Sequence, residues 1–237
     1  MNSFWKTALL SLSFVACAPS LADAPKRELL IQTTYLAPAQ ILPPPPAADS
    51  MLTRDEIAEV KAWVAKTTAD EKALAAKDAL DKTAGFFADT IAGFDLSKLP
   101  ATKELFDQVR FTEDQQAKVF KNQFKRPRPY ITDPTISLCV AAESGGELQS
   151  YPSGHATMAY SMGVILAHLI EPQAPAIMER AKLYAENRMR CGVHHRSDTV
   201  AGQVLGTLVA VQLMQNAEFQ QMFSASRQEL LAAGLIR

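Results

Sequence analysis

Residues 155–170 read HATMAYSMGVILAHLI, and Glu171-Pro172 follows directly. A second stretch of the same kind, residues 199–214, reads TVAGQVLGTLVAVQLM. Both are shorter than the ~20 residues that a membrane-spanning helix needs, and polar side chains interrupt them. They therefore predict two buried core helices, over 155–170 and 197–215, and no transmembrane span.

Helix-forming residues extend this pattern in both directions. Residues 175–189 predict a third helix between the two apolar stretches, and Ala, Lys, Glu and Leu dominate the region upstream. The helices predicted upstream are 53–66, capped by Thr53 or Asp55, then 68–92, capped by Thr68 or Asp70, and one or two more over 102–125.

Prolines mark where these helices stop. In Arg126-Pro127-Arg128-Pro129 each arginine precedes a proline and is pushed toward extended backbone, so no helix continues through it. Residues 130–152 then form a long polar connection that contains Gly145-Gly146. No run of alternating β-branched residues predicts a strand. The fold class is therefore all-α, a single compact helical domain over 51–237.

The first fifty residues differ from the rest. Lys6 precedes a short apolar run, and Ser20-Leu21-Ala22 offers small residues for cleavage, which is the pattern of a secretory signal peptide over 1–22. Lipoprotein processing at Cys17 is the alternative that fits less well. Residues 23–50 contain four consecutive prolines and predict an extended arm over the domain surface. We therefore expect a periplasmic protein.

Composition and cysteine usage agree with this expectation. The chain is 48% hydrophobic with a formal net charge of -1, which excludes disorder and gives no support for a nucleic-acid partner. Apart from Cys17, the cysteines are Cys139 and Cys191, an even pair in an oxidising compartment. We expect a disulfide between them, and two buried free thiols are the alternative.

The pair His194 and Asp198 supplies a candidate nucleophile. At a spacing of four residues on a helical turn, the carboxylate would accept from the imidazole Nδ1. The Nε2 lone pair would then point outward and could attack phosphorus. By itself such a pair is more often a structural hydrogen bond.

Pro152-Ser153-Gly154-His155 stands where a loop meets a predicted helix. The first backbone N–H groups of a helix lack internal partners and favour an anion, and Gly154 permits close approach. The Ser153 hydroxyl can add a hydrogen bond, and His155 would lie beside a bound phosphate to protonate a leaving alkoxide. An ordinary helix cap with a surface histidine is the alternative.

Three cations would complete a phosphate cradle. Lys121, Arg128 and Arg188 can stabilise the charge that spreads over the oxygens of a phosphoryl group in its transition state. Several other cations lie near these motifs without an assigned role: Lys118, Lys125, Arg126, Arg190 and Arg196.

The ordered combination of these motifs resembles the phosphatidic acid phosphatase type 2 and vanadium haloperoxidase superfamily. More narrowly, it is similar to the class A bacterial non-specific acid phosphatases. Tyr35-Leu36, the proline-rich residues 42–47, Ser150-Tyr151 and Cys191-Gly192 are similar to that class as well. The resemblance covers about residues 33 to 215.

The resemblance implies an all-helical enzyme that hydrolyses phosphate monoesters without a metal or other cofactor. His194 would form a phosphohistidine, Asp198 would orient it, and His155 would be the general acid that later helps to activate water. Vanadate or inorganic phosphate would inhibit it, and a homodimer is expected because helix-rich relatives often pair. The residues that would bind the phosphate are Lys121, Arg128, Ser153, Gly154 and Arg188.

Some positions depart from the family pattern. Asn187 stands where the family usually has a serine before the arginine of the third motif, so its contact to the phosphate would differ. Gln149 and Ala156 also replace a common Gly and Thr. His195 would point away from the site, either at the cavity rim or exposed, and His168 is expected to be a hydrogen-bonded core or surface residue.

Two other functions fit the same residues. A vanadium haloperoxidase would use similar cations and a histidine to hold vanadate. A non-enzymatic periplasmic binder would hold phosphate or a metal, although His194, His195 and Asp198 lack further zinc ligands and have cations nearby. The physiological substrate is not identified by the sequence.

Overall fold

The computed structural model describes residues 27–31, 41–142 and 144–237. Within these residues the chain forms seven helices longer than four residues and no strand, which confirms the all-α fold class. The predicted signal peptide and Cys17 lie outside the described residues. The helices are α1 (Met51–Lys66), α2 (Ala69–Leu80), α3 (Pro100–Phe124), α4 (Gly154–Leu169), α5 (Ala174–Arg190), α6 (Arg196–Met214) and α7 (Ala217–Ala232).

The helices predicted from the apolar stretches are confirmed. Helices α4, α5 and α6 each begin and end within one residue of the predicted bounds. Helix α3 is one continuous helix that ends directly before Lys125 and the Arg-Pro-Arg-Pro segment. None of the helices in the described residues combines the length and the hydrophobicity of a membrane span.

The first two helices differ from prediction at one end each. Ser50 caps α1, because its Oγ accepts from the Thr53 backbone N–H at 3.1 Å, so Thr53 and Asp55 are not the cap. Thr68 caps α2 as predicted, but this helix ends at Leu80 and not at residue 92. Side chains of the next residues bond the local backbone: Thr83 N–H donates to Asp81 Oδ1 at 3.0 Å. Such bonds compete with helix continuation.

Helix α7 was not predicted, and one of its side chains caps the N-terminus of α3. Leu99, which precedes α3, provides no side-chain cap. Instead, the Glu229 carboxylate accepts from the backbone N–H groups of Ala101 and Thr102 at 2.9 and 2.8 Å. These are orphan donors of a helix N-terminus, where a carboxylate is favourable. A helix from the end of the chain thereby fixes α3, which carries Lys121.

Helices α4 and α6 approach each other closely at two glycines. A Cβ at Gly202 would lie 2.5 Å from the Ser153 carbonyl oxygen, and one at Gly206 would overlap the Thr157 carbonyl oxygen. Only glycine allows backbone-to-backbone contact of this kind. The two helices carry the Ser153-Gly154-His155 and Asp198 motifs, so this packing sets the distance between them.

The hydrophobic core lies around α4, and part of the proline-rich arm packs on it. Leu42 is buried, and the Tyr151 hydroxyl donates to the Pro43 carbonyl at 2.7 Å. This contact joins the arm to the residue that directly precedes the Pro-Ser-Gly-His motif. The largest fully buried side chains include Tyr184, Phe87, Phe106, Phe120, Phe219, Met158 and Met162.

The structure contains the expected disulfide between Cys139 and Cys191, whose Cα atoms are 4.7 Å apart. It joins the connection after the Arg-Pro-Arg-Pro segment to the end of α5. Gly192, with φ +73°, is required here because a Cβ would lie 2.6 Å from Ile136 Cγ2 and 2.9 Å from the Ser137 carbonyl oxygen. The sequence separation of 52 residues corresponds to a loop-closure contribution of about 4 kcal/mol.

The close contact of α4 and α6 makes a stability prediction. Gly206→Ala should destabilise the fold by about 1–3 kcal/mol or more, because the new methyl meets a backbone oxygen that cannot swing away. Val204→Ala, at a half-exposed position of the same helix, should change stability by only about 0.5 kcal/mol. Urea unfolding of both variants measures the difference. Equal midpoints would contradict the close packing.

Candidate active site

A cavity of about 380 Å³ opens beside the N-terminus of α4. Six of the eight predicted catalytic and phosphate-binding residues line it. The other two, Ser153 and Asp198, are fully buried behind its wall. The six lining residues are Lys121, Arg128, Gly154, His155, Arg188 and His194.

His194 lies between an anion and a cation. Its Nδ1 is 3.4 Å from Asp198 Oδ2, and its Nε2 is 3.0 Å from Arg128 Nη1. A guanidinium can only donate, so Nε2 accepts and the ring proton is on Nδ1, toward the carboxylate. Burial and the charge of Arg128 hold the pKa of His194 well below its usual range. The imidazole is therefore neutral, with its Nε2 lone pair toward the cavity.

The Asp198 carboxylate accepts several hydrogen bonds. Oδ1 accepts from Arg126 Nη1 at 2.7 Å, and Oδ2 accepts from Ser150 Oγ at 2.6 Å and from the His195 backbone N–H at 2.8 Å. Burial opposes its ionised form, but hydrogen bonds from two imidazoles and the charge of Arg126 outweigh burial and lower the pKa of Asp198 well below its usual range. The group is a permanent anion beneath His194.

Arg126 and Glu56 are site residues that sequence reasoning missed. Arg126 Nη2 donates to Glu56 Oε2 at 2.8 Å, while Glu56 Oε1 accepts from the Ser197 backbone N–H at 2.7 Å. Both charged side chains are about 5% exposed. They connect α1 to the first turn of α6 and brace Asp198 from behind. The Arg-Pro-Arg-Pro segment predicts extended backbone at both arginines. It does not predict that Arg126 bonds Asp198 whereas Arg128 bonds His194.

His195 is buried, and the expectation of a rim or exposed position is wrong. Its ring Nδ1 lies 3.0 Å from Asp198 Oδ2, and the residue precedes the first turn of α6. Asp198, at the third position of this helix, accepts from the backbone N–H of His195, the residue that precedes the helix, as carboxylates at helix starts do. His195 therefore helps to fix the carboxylate that His194 uses. His168, by contrast, is exposed near the far end of α4.

His155 also lines the cavity, from the first turn of α4. Its Nε2 is 3.1 Å from the Ala79 carbonyl oxygen, which can only accept, so Nε2 carries a proton and Nδ1 is the atom left for proton exchange. The ring stacks at 6.0 Å on Tyr184. Burial and the charge of Arg188 lower the pKa of His155 well below its usual range in the free site.

The residues behind His155 explain its position. Asp78, in the last turn of α2, accepts two hydrogen bonds from Arg180 at 3.0 and 2.6 Å. Asn187 Nδ2 donates to the same carboxylate at 2.8 Å. The expectation that Asn187 would contact the phosphate in place of a serine is therefore not met, because its amide faces the α2–α5 interface. It helps to hold the helix that carries Ala79.

Ser153 and Gly154 form the anion-facing end of α4. The Ser153 hydroxyl accepts from the Ala156 N–H at 3.3 Å, so it caps the helix, and its backbone N–H donates to the Asp198 carbonyl at 2.9 Å. Ser153 is fully buried, whereas Gly154 lines the cavity. In the free site the helix start therefore faces the cavity through the backbone at Gly154, and the serine hydroxyl does not line it.

The cavity wall is strongly cationic. Burial, followed by the charge of Arg128, lowers the pKa of Lys121 to about 7, and its Nζ donates to the Gln149 carbonyl. Arg128 Nε donates to the Gly146 carbonyl at 2.9 Å, and Arg188 is only 5% exposed. No group of three or more His, Cys, Asp or Glu side chains within the described ranges is arranged to hold a metal ion. The lining therefore suits a compact anion.

Comparison with known proteins agrees with this site. Residues 112–221 match the family model of the PAP2 superfamily. An acid phosphatase of Zymomonas mobilis is 31% identical over 198 residues, which cover 81% of this chain and 75% of that protein. A non-specific acid phosphatase of Providencia stuartii is 24% identical over 237 residues, which cover 95% of each chain.

A non-specific acid phosphatase of Salmonella typhimurium is 28% identical over 201 residues, which cover 80% of this chain and 78% of that protein. The matched family region contains all eight predicted catalytic and phosphate-binding residues. The relatives also extend upstream of that region, since one of them aligns over nearly the whole chain. The chain therefore belongs to the PAP2 superfamily, and within it to the class A bacterial non-specific acid phosphatases.

Proposed function

We propose that this phosphoric monoester hydrolase acts through a covalent phosphohistidine at His194, needs no metal ion and works outside the cytoplasm. The observation that carries the proposal is the position of His194, whose protonated Nδ1 faces Asp198 and whose Nε2 lone pair faces the cavity. The cations of the wall supply the positive charge that a metal supplies in other phosphatases.

In the first step, Nε2 of His194 attacks phosphorus and the bond to the ester oxygen breaks. In the free site this lone pair accepts a hydrogen bond from Arg128, so the substrate must draw that guanidinium onto its own oxygens before attack. A phosphate ester offers Arg128 a stronger acceptor than a neutral imidazole does. Binding and activation of the nucleophile are thereby coupled.

His155 supplies the proton for the leaving alcohol. The Ala79 carbonyl occupies its Nε2–H, so the proton passes from Nδ1. A dianionic phosphate in the cavity adds negative charge that favours the protonated ring, which opposes the effect of burial. The enzyme–substrate complex with protonated His155 therefore forms more readily at mildly acidic pH. In the second step neutral His155 takes a proton from water, which attacks phosphorus and releases His194.

The nucleophile is the first test. Purified protein should hydrolyse p-nitrophenyl phosphate in EDTA at mildly acidic pH, and vanadate should inhibit it. His194→Ala should lower kcat by at least about 10⁴-fold, because the covalent step is lost. His168→Ala, an exposed histidine on α4 away from the cavity, serves as the matched control and should keep wild-type turnover. Wild-type turnover without His194 would rule out the mechanism.

The lowered pKa of Lys121 makes a second prediction. The ammonium is charged below pH ~7 and loses its proton as pH rises through that value, so anion binding should weaken above it. Sulfate suits the measurement because its own charge stays constant. Its inhibition constant should rise by up to about tenfold per pH unit above 7.

Lys121→Arg provides the comparison, because a guanidinium stays charged throughout this range. In this variant the inhibition constant for sulfate should be nearly flat between pH 6 and about 7.5, below the pKa of about 8 that burial gives the Glu113 carboxyl beside Arg110. The same upward slope in both proteins would assign the titration to another group.

Export is the part of the proposal that rests on residues 1–22. The disulfide supports it, because disulfides persist in oxidising compartments such as the bacterial periplasm. Association into a homodimer stays a prediction of the resemblance. So does inhibition by inorganic phosphate.

The intact mass of the protein purified from its host tests export. We expect the mass of residues 23–237, lowered by the two thiol hydrogens lost in the disulfide. Chemical reduction should restore those hydrogens and serves as the internal control. An acylated Cys17 would support lipoprotein anchoring instead, and an uncleaved N-terminus would contradict export through a signal peptide.

A further inference from the structure

We propose that the outer part of the cavity binds a second phosphate on the leaving group, so that small bisphosphorylated alcohols are preferred over the matching monophosphates. The inference rests on the proposed function, since the first phosphate must occupy the cradle of Lys121, Arg128 and Arg188. It names the class of substrate that this site selects. The residues that carry it are Lys118 and Arg110.

One face of α3 runs from the cradle to the mouth of the cavity. Arg110, Asp114, Lys118 and Lys121 all line the cavity, at spacings of four, four and three residues. These intervals keep side chains on one side of a helix. Lys118 lies one turn from Lys121, a rise of about 4.5 Å, and Arg110 lies about three turns from Lys121 on the same side of the helix. Their charges extend the cradle along α3.

The charges on this face do not cancel. Asp114 is the only carboxylate among the described residues of the cavity lining. It holds Lys118 Nζ at 2.7 Å and lies 3.4 Å from Arg110. One carboxylate thus positions two cations, and an excess of positive charge remains. Lys118 is 58% exposed, so its ammonium is accessible to a ligand.

The residue that bonds Arg110 from the interior does not offset this excess. Glu113 is fully buried and bonds Arg110 through Oε1, while its Oε2 has no hydrogen-bond partner in the described structure. Burial raises the pKa of Glu113 to about 8 despite the neighbouring guanidinium. At the mildly acidic pH of the proposed reaction this carboxyl is neutral. It holds Arg110 in place and leaves its charge for the cavity.

Lys82 faces the same mouth from the segment after α2. Lys82 and Arg110 line both the main cavity and an adjoining cleft of about 230 Å³. The floor of this cleft includes buried Phe106 and Met162, so an apolar leaving group is the competing occupant. The cationic entrance favours an anionic leaving group over an apolar one, because an apolar group would have to pass between charged side chains.

Two phosphate esters of the same diol test the inference. The kcat/KM values of propanediol bisphosphate and propanediol monophosphate are compared, counted per phosphate, with hexyl phosphate as the apolar probe. We expect the bisphosphate to be preferred, and Lys118→Gln to lower this preference by about 1.5- to 5-fold, as an exposed charge pair contributes. Arg110→Gln should act in the same direction. Added salt should reduce the preference as well.

Lys77→Gln is the matched control, because it removes the same charge from an exposed position of α2 that does not line the cavity. It should leave the preference unchanged. Should Arg110→Gln fail to fold without its Glu113 contact, the exposed Lys118 variant still decides the matter. Equal preference in wild type and Lys118→Gln, or stronger hydrolysis of hexyl phosphate than of the bisphosphate, would overturn the inference. Absence of all hydrolysis would instead contradict the proposed function.

Discussion

The structure depends on one buried carboxylate. Asp198 accepts hydrogen bonds from Arg126, Ser150, His194 and His195, and its own carbonyl accepts from Ser153. Three segments of the chain meet at this residue, around Arg126, around Ser150 to Ser153, and around His194 to Asp198, and each contributes to the site. A buried charge is costly unless it is fully bonded, so any displacement of these segments is opposed. The same bonds that stabilise the anion therefore position His194 and the start of α4, which carry the proposed catalytic groups.

Close helix packing makes this meeting possible. Gly202 and Gly206 bring α6 against the start of α4, where side chains of any size would separate Ser153 from Asp198. The contact lies inside a core whose density transmits small shifts. Stability of the fold and geometry of the site are thus determined by the same residues, and a methyl group at Gly206 is expected to disturb both.

Electrostatics divides the site into two halves with different roles. Beneath the cavity, the Arg126 guanidinium is balanced by Glu56 and Asp198. In the cavity, cations outnumber the single lining carboxylate of the described residues, and burial together with the charge of Arg128 lowers the pKa of Lys121 to about 7. A bound phosphate would supply the missing negative charge. The free enzyme therefore holds its cations in an arrangement that favours anion binding.

The sequence by itself determined the main helices and brought the candidate site residues to notice. Apolar periodicity, prolines and caps are local signals, so α4, α5 and α6 could be placed within a residue, and the resemblance carried by the three motifs predicted roles for His194, His155 and Asp198. It did not predict α7, the early end of α2 or the inward position of His195. The tertiary structure alone decided that Arg126 braces Asp198 while Arg128 faces the cavity, and that Glu56 caps a helix 141 residues away. Such partners are chosen by how whole helices pack, and no local pattern in the chain records that choice.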